Sequence, residues 1–340
     1  MSVAPEAGIV RRVQLTGGST YIVSIPKEWA SAVGIGKGSI VSLVLEQDGT
    51  IRLIPSVKRP RAALETEVRV GKKTTEGAII RELFSKYLLG YKVIRAKFEE
   101  DSPALKKTIR DVLVSKLIGA EVMQESAREV VIQVLVNVED IPVPEVVGRM
   151  RDTAQSMLED PMTVLRGGEA VVDLEEVIAR DDIVDKLYLY GLRQLYSAMR
   201  GFTNLKELGL SRLEEVLSHA MVMKNIERVS DHAAAIAATL LQTPELPNRD
   251  EIASLASEVA KFFRRSVDAF LARDRDSAHR LLDKDAIELR EADKELSKRV
   301  LVAQDPEMVS NVRVILGSYR RVVEYSSDIL EATIDLTERA

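Results

Sequence analysis

The sequence predicts a multi-domain fold with a small all-β head, a small α/β middle segment and a mainly-α body of two tandem three-helix bundles. Short apolar runs bounded by turn residues fill residues 8–56, strand and helix patterns alternate over residues 62–141, and long helical patterns fill residues 144–340. Aromatic residues make up only 4% of the chain, which suits packed helices better than a β-sandwich.

The composition excludes several classes of site. The 340 residues contain no cysteine, so disulfides, zinc fingers, iron–sulfur clusters and thiol nucleophiles are excluded. Only three histidines are present, which leaves little room for a histidine-rich metal site. No run approaches the roughly 20 apolar residues of a membrane span, and the N-terminus lacks the pattern of a signal peptide. We therefore expect a cytoplasmic protein.

The charge of the chain is unevenly distributed. The net charge is −5, but residues 1–61 hold eight Lys/Arg and four acidic residues, a net charge of +4. The rest of the chain therefore carries −9. If any part of the protein meets a polyanion, we expect it to be the basic head.

The head, residues 8–56, is predicted to contain four short strands and one short helix. Residues 9–15 and 20–25 form β-type runs around a Gly-Gly turn, and a short helix follows Pro26. Residues 39–45 and 50–54 are predicted to pair around an Asp-Gly turn. Because so small a unit buries too little apolar surface to be stable alone, a partner chain is expected to complete its core.

The middle segment, residues 62–141, follows a linker at residues 57–61 and is predicted to be α/β. Four stretches have strand patterns: LETEVRV, KVIRAKF, EVMQE and REVVIQVLV. Two have helix patterns: TTEGAIIRELFSKYLLGY and SPALKKTIRDVLVSKLIG. The second helix is predicted to begin with Ser102 as its N-cap, with proline at the first helical position. The sequence leaves two roles open for this segment, a spacer or a sensor of a small ligand.

The body divides into two similar parts, residues 144–243 and 249–340, separated by the turn-rich stretch LPNRD. Each part contains three long helical patterns, which favours an up-down three-helix bundle present twice. Ser211 and Glu214 are predicted to form a capping box at the start of the third helix. The predicted helices are residues 144–165, a helix ending near 200, 211–241, 250–272, 275–303 and 306–338.

An acidic motif recurs at equivalent places in the two bundles. Glu227 and Asp231 form an E-x-x-x-D pair on the third helix of the first bundle, and Glu324 and Asp328 form another 97 residues later. Residues four apart share one face of a helix. Two like charges there repel slightly unless a cation lies over them.

The helix before each pair is also acidic. Asp181 and Asp185 are four residues apart in the first bundle, whereas the second has Leu289 at the first of these positions and Asp293 at the second. Neighbouring bundle helices pack about 8–10 Å apart, so these acids could converge with the E-x-x-x-D pairs.

Two interpretations of these acids remain open. Convergent carboxylates would favour a hard or borderline cation such as Mg²⁺, Ca²⁺, Mn²⁺ or iron, with His232 as a further possible ligand. The alternative is a solvated surface on which each acid is neutralised by a nearby basic side chain. The candidate basic partners are Arg180, Lys186, Lys224 and Arg228.

The stretch ERVSDHA, the second E-x-x-x-D and the acidic helices before them resemble the PhoU family of phosphate-uptake regulators. The resemblance covers residues 144–340. It implies two three-helix bundles whose acidic motifs bind metal ions, often iron, zinc or other divalent ions. The metal ligands that it implies are Asp181, Asp185, Glu227, Asp231, Asp293, Glu324 and Asp328. The second copy departs from the pattern at Leu289 and lacks the His-Ala that follows Asp231 in the first.

The head resembles SpoVT/AbrB swapped-hairpin domains, through the run IPKEWASAVGIGKGSIV and the Asp-Gly hairpin. That family dimerises by exchanging strands and often binds DNA, which would make Arg11, Arg12 and Lys27 DNA contacts. The combination of this head with the acidic bundles is similar to archaeal PhoU-type regulators. The likeness to those regulators includes stretches of the middle segment.

Together these observations predict a cytoplasmic homodimeric, metal-binding regulator of phosphate homeostasis and not an enzyme. Its metal would be iron, zinc, manganese or magnesium. Its partners would be DNA, a phosphate ABC transporter or a signalling protein. Three rivals stay open: a DNA-binding repressor whose body only oligomerises, a transporter adaptor without DNA binding, and a carboxylate-bridged metalloenzyme.

Overall fold

The structure, a computed structural model, describes residues 8–45, 49–55, 64–167, 173–243, 245–300 and 306–338. The chain forms two compact units that divide between Ala63 and Leu64. The predicted linker at residues 57–61 and the aspartate of the predicted Asp-Gly turn lie outside the described residues.

The head contains two β-hairpins and one short helix. Strands β1 (Gln14–Thr16) and β2 (Thr20–Ile22) pair antiparallel around a turn in which Gly17 and Gly18 have positive φ. Helix α1 (Lys27–Ala32) follows Pro26. The elements have the predicted type and order, although the first two strands are shorter than predicted.

The second hairpin has an apolar face. Strands β3 (Val41–Leu45) and β4 (Ile51–Pro55) pair so that Leu43 is opposite Leu53 and Leu45 is opposite Ile51. Alternate residues of a strand point to the same side, so these four leucine and isoleucine side chains share one face. Among the described strands, neither hairpin pairs with the other.

The middle segment is a four-stranded mixed sheet with two helices. Strands β5 and β6 are parallel, and β8 lies antiparallel between β6 and β7. Residues Val68, Ile94 and Ile132 point to one side and pack with Ile79 and Leu83 of the first helix. The elements are β5 (Glu65–Val70), α2 (Glu76–Leu88), β6 (Val93–Phe98), α3 (Pro103–Lys116), β7 (Ala120–Glu125) and β8 (Glu129–Val134).

Both helices of this segment begin at side-chain caps. The Thr75 hydroxyl accepts a hydrogen bond from the Ala78 amide at 3.2 Å, and the Ser102 hydroxyl accepts one from the Leu105 amide at 3.5 Å. These bonds satisfy amides that have no partner inside the helix. The prediction that Ser102 caps α3 is confirmed.

The body consists of long helices around one continuous core. Helices α4, α6 and α7 form the first bundle, and α8, α10 and α11 form the second. The fold class predicted from the sequence is confirmed. The helices are α4 (Val143–Leu165), α5 (Leu174–Ala179), α6 (Asp181–Met199), α7 (Glu215–Gln242), α8 (Arg249–Ala272), α9 (Arg275–Arg280), α10 (Ala286–Val300) and α11 (Pro306–Thr337).

Helices α7 and α11 join the two bundles and run antiparallel. Near the start of α7, Arg212 donates to the carbonyl of Leu336 at 2.7 Å. Just beyond its end, the Thr243 hydroxyl accepts from Asn311 at 2.8 Å. The acidic motifs lie on these two helices, so each motif is held on a rigid, well-packed element.

Two details of the body differ from the sequence prediction. The predicted second helix is divided at Arg180 into α5 and α6, and the predicted helix 275–303 is interrupted by a π-helical turn at Leu281–Asp285. The predicted capping box is wrong, because α7 begins at Glu215 without a side-chain cap. Instead, buried Glu215 accepts from the Ser211 amide at 3.2 Å and from Arg273 at 2.8 and 3.0 Å.

The middle segment is anchored on the body by buried Arg193 of α6. Its guanidinium donates to the carbonyls of Tyr87, Gly90 at 3.3 Å and Tyr91 at 3.0 Å. These carbonyls lie at and just after the C-terminal end of α2, where a helix leaves carbonyls unpaired and favours a cation. Arg200 adds a bond to the Leu89 carbonyl at 2.5 Å. The end of α2 is therefore held firmly on α6.

Candidate functional site

The four acids of the first bundle lie on one face formed by α6 and α7, which we call the α6–α7 acidic face: Asp181, Asp185, Glu227 and Asp231. The two helices run antiparallel, since the Lys224 ammonium lies 5.2 Å from the centre of the Tyr188 ring while Asp181 interacts with Asp231. This register brings the start of α6 beside the middle of α7.

The carboxylates of this face interact electrostatically. Burial raises the pKa of Asp181, an interaction with the Ser230 hydroxyl lowers it, and the negative charges of Asp185 and Asp231 raise it. Burial likewise raises the pKa of Asp231, with Glu227 and Asp185 adding to the effect. Asp181 and Asp231 are therefore close enough to other acids for their own ionisation to be disfavoured. The four acids lie near one another on this face, and a metal site formed by them stays a prediction.

One carboxylate oxygen on the face has no protein partner. The Oδ1 atom of Asp181 is buried and accepts no hydrogen bond. Buried polar atoms in native proteins nearly always have a partner, so such an atom calls for an explanation. The Oδ1 atom of Asp293 in the second bundle also lacks a partner, so this feature occurs in both bundles.

Two lysines approach the same face. Lys116, the last residue of α3, places its ammonium 2.6 Å from both Asp182 Oδ1 and Asp185 Oδ2. Lys224 lies 2.5 Å from Glu227 Oε2. These two lysines neutralise part of the negative charge, as the solvated-surface interpretation predicts. Asp181 and Asp231, however, make no ion pair with any described lysine or arginine.

The carboxylates of this face outnumber its ammonium groups. Counting Asp182, five carboxylates face two ammonium groups, so the fully ionised cluster has an excess of three negative charges. Among the described residues, no three acidic or histidine side chains already stand in positions that could share a metal ion. Rotation of side chains, and displacement of at least one lysine, would be needed to complete a metal site.

The second bundle arranges its acids differently. Asp293 is 5% exposed and pairs with Arg320 at 2.7 Å, while Leu289 is buried among apolar side chains. Glu324 pairs with Arg321 at 2.6 Å, and Arg228 lies near Asp328. Asp293 and Glu324 therefore each have an arginine partner, whereas Asp328 makes no ion pair with a described residue. Among the contacts of the described residues, none joins Asp293 to Glu324 or Asp328.

His232 turns away from the acidic face. Its Nδ1 lies 3.2 Å from the Ser318 hydroxyl, and its ring centre lies 5.8 Å from that of Tyr325. Both neighbours belong to α11. Burial and the positive charge of Arg321 lower the pKa of His232, so the neutral form is favoured. The side chain helps to join α7 to α11.

The predicted DNA contacts are exposed in the head. Arg11 and Arg12 precede β1, and Lys27 begins α1. None of the three makes an ion pair with an acidic residue that the structure describes. Their charges are therefore available to an anionic partner.

Sequence reasoning missed Lys116 and Asp182. Lys116 lies 69 residues before Asp185 and in a different predicted domain. Its surroundings in the sequence have the pattern of an ordinary exposed helix end. Only the docking of α3 against α6 brings it to the acidic face, and no local signal could have revealed this.

Two family models match the chain, one in the head and one in the body. Residues 14–61 match the family model described as "Antidote-toxin recognition MazE, bacterial antitoxin", and residues 147–240 match the PhoU domain. A crystal structure of PhoU from Pseudomonas aeruginosa is similar over 57% of this chain and 94% of that chain, with a TM-score of 0.44 and 19% identity. No curated protein sequence matches the chain.

The PhoU match contains all four residues of the α6–α7 acidic face. Within the part of the chain that the structure describes, no helix is long and apolar enough to cross a membrane. The matches confirm the resemblances predicted from the sequence: the chain combines an N-terminal segment of the MazE/AbrB antitoxin type with a helical body that carries a PhoU domain.

Proposed function

We propose that this protein is a homodimeric regulator of phosphate homeostasis that holds a metal cation on the α6–α7 acidic face and acts without catalysis. The proposal is supported by the match to the PhoU domain, within which the carboxylates of α6 and α7 interact electrostatically on one face. A phosphate ABC transporter or a signalling protein is the expected partner of the body.

The two bundles differ in how their acids are paired. In the first, Asp181 and Asp231 make no ion pair with a described lysine or arginine, and every candidate ligand is a carboxylate oxygen. Such ligands suit magnesium, manganese or iron, whereas zinc usually takes nitrogen or sulfur ligands. A bound metal would supply the positive charge that the clustered acids lack. In the second bundle, Asp293 and Glu324 form ion pairs with Arg320 and Arg321, and Arg228 acts electrostatically on Asp328.

The regulatory role predicts a phenotype for loss of the acidic face. Cells that lack the protein are expected to import phosphate at high external phosphate as fast as starved cells do. Wild-type protein should restore slow uptake, whereas Glu227→Ala/Asp231→Ala should not, because it lacks the cation. Uptake of radiolabelled phosphate measures this. Normal uptake in the deletion strain would contradict the proposed role.

We also propose that the head dimerises. Its described residues are all exposed or only half-buried in a single chain, and Val10, Tyr21 and Ile40 are 90%, 74% and 75% exposed. A folded domain does not normally leave so many large apolar side chains in water. A second copy that covers them, by exchange of hairpins as in AbrB-type domains, explains the arrangement.

The dimeric head is further proposed to bind DNA through Arg11, Arg12 and Lys27. In a dimer each basic side chain occurs twice, which suits two half-sites of an operator. Phosphate contacts of this kind weaken steeply as salt rises.

The Arg11→Ala/Arg12→Ala variant is expected to bind the DNA upstream of its own gene at least about tenfold more weakly at low salt, because four phosphate contacts per dimer are lost. Titration of labelled DNA at several salt concentrations measures the loss and the reduced salt slope. Lys294→Ala/Lys298→Ala, which removes the same charge from an exposed surface of α10, should bind as the wild type does. Absence of binding by the wild type at low salt would contradict the DNA role and favour a protein adaptor.

A further inference from the structure

Five large apolar side chains lie exposed beside the α6–α7 acidic face. They belong to the C-terminal part of α6 and to the start of α7, and each is between 41% and 66% exposed. We call them the apolar stripe: Tyr196, Met199, Leu213, Leu217 and Met221. Single exposed apolar residues are ordinary, whereas a contiguous group of them marks a surface that a partner covers.

The members of the apolar stripe on the two helices are neighbours. Because α6 and α7 run antiparallel with Tyr188 beside Lys224, Tyr196, about two turns farther along α6, lies level with Leu217. Tyr196 also acts electrostatically on Tyr188, so both rings are on the same side of α6.

The apolar stripe continues the acidic face along the same side of each helix. Residues three or four positions apart share one face of a helix, and both lines of residues keep this spacing throughout. The line on α6 consists of Asp181, Asp185, Tyr188, Leu192, Tyr196 and Met199, and the line on α7 of Leu213, Leu217, Met221, Lys224, Glu227 and Asp231. Together they form one surface, which we call the α6–α7 strip. It is acidic at one end and apolar at the other, and it measures about 27 Å along α7.

We propose that the α6–α7 strip is the docking surface for an amphipathic helix of a partner protein. The apolar side chains of that helix would cover the apolar stripe, and lysines or arginines at one of its ends would lie over the acidic face. This inference rests on the proposed function, because it names the surface on which the body holds its regulatory partner. It needs no bound cation.

The partner segment is a helix because the strip has no backbone groups to offer. Helices α6 and α7 bond their own amides and carbonyls internally, so an extended peptide lying here would bury unpaired backbone groups. A helix satisfies its own backbone and can lie in the groove between two neighbouring helices. A helix of about 18 residues would span the strip.

The charges of the strip favour a basic helix over an acidic one. Its acidic end has the excess of three negative charges described above, and Asp181 and Asp231 make no ion pair with any described lysine or arginine. Like charges across an interface reject an acidic segment, whereas basic side chains would meet unpaired carboxylates. The charge pattern therefore sets which end of the bound helix is basic.

A second copy of the chain fits the strip poorly. Two strips that face each other would either place acids over acids or place carboxylates on apolar side chains. The first arrangement is repulsive, and the second buries charges without partners. A different protein with a basic amphipathic helix meets neither penalty.

The test titrates full-length protein into a labelled synthetic helical peptide of about 18 residues, with leucines along one face and lysines in its last turn. We expect Leu217→Asp to weaken binding at least about tenfold, because it places a carboxylate under the apolar side of the peptide. Fluorescence anisotropy measures the affinity. Aspartate suits the first turn of α7, so the variant should fold.

Two further variants check the chemistry. Val314→Asp makes the same change at an exposed apolar position of α11 outside the strip, and it should bind the peptide as the wild type does. Asp181→Asn/Asp231→Asn should weaken binding about fivefold and reduce its dependence on salt, because exposed ion pairs are individually weak and are screened by salt.

Three results of these measurements would overturn the inference. They are absence of peptide binding by the wild type, equal binding by the wild type and Leu217→Asp, and binding by Asp181→Asn/Asp231→Asn that is unchanged at every salt concentration. Sedimentation velocity adds a fourth. A Leu217→Asp protein that forms a smaller assembly than the wild type would show that a second copy covers the strip.

Phosphate uptake separates this inference from the proposed function. In the deletion strain, Leu217→Asp is expected to leave uptake fast, whereas Val314→Asp should restore slow uptake. Slow uptake restored by Leu217→Asp would overturn the strip as the docking surface of the regulatory partner. Normal uptake in the deletion strain itself would contradict the regulatory role alone, because peptide binding to the purified protein does not depend on that role.

Discussion

Replacing Leu43 by aspartate is expected to convert the protein from a dimer into a monomer at micromolar concentration. Leu43 lies on the apolar face of the β3–β4 hairpin and is 67% exposed in a single chain. If a second copy covers this face, the substitution places a carboxylate in an apolar interface. A cost of about 3 kcal/mol in each copy weakens the dimer by roughly 10⁴-fold.

Sedimentation velocity and limited proteolysis measure the outcome. The monomeric variant should be cleaved rapidly in the head, because the isolated unit has too small a core to stay folded. Ser42→Asp is the matched control, since Ser42 is exposed on the opposite side of the same strand. It should remain dimeric and resistant. A Leu43→Asp protein that stays dimeric with an intact head would show that this face is not the interface.

Local chemistry was enough to predict much of the fold. The glycines of the first turn, the Ser102 cap with proline after it, and the periodic apolar positions each specify an element within a few residues of themselves. These signals gave the order of head, α/β segment and bundles. They also gave the position of the acidic motifs on the helices.

The breaks within helices could not be predicted in the same way. The apolar pattern continues through Arg180 and through the π-helical turn at Leu281–Asp285, so periodicity gives no sign of either. At Arg180, the contact is with Asp160 of α4 and is made only after the bundle has formed. Tertiary packing decides such positions.

The basic partners of the acids could not be predicted either, because they are distant from the acids in the sequence. Asp185 contacts Lys116 from 69 residues away, and Glu215 contacts Arg273 from 58 residues away. The sequence showed that the acids could converge and left a solvated surface as the alternative. It could not predict which acids would pair with a lysine or an arginine. This pairing is the difference between the two bundles.

The largest effect on metal binding is expected from Glu227→Ala/Asp231→Ala. Removing even an outer partner of a metal ligand typically weakens binding by 10–100-fold, so removing two ligands should weaken it by at least about 100-fold. The Asp231 replacement should cost little stability, whereas loss of the 12% exposed Glu227 also removes its ion pair with Lys224. Removing the Asp231 carboxylate also removes its repulsion with Asp185, and this offsets part of any stability lost with the packing contacts.

The second bundle supplies a matched control. Glu324→Ala/Asp328→Ala removes the same two residue types at the same spacing from α11, where Arg321 and Arg228 are already the neighbours of these acids. If only the first bundle holds a cation, this variant should keep all of the metal.

Elemental analysis of the three proteins, purified without chelators or affinity tags, tests the central claim most directly. The account predicts equal metal content in the wild type and Glu324→Ala/Asp328→Ala, and loss of that metal in Glu227→Ala/Asp231→Ala. Equal metal content in all three proteins would contradict it.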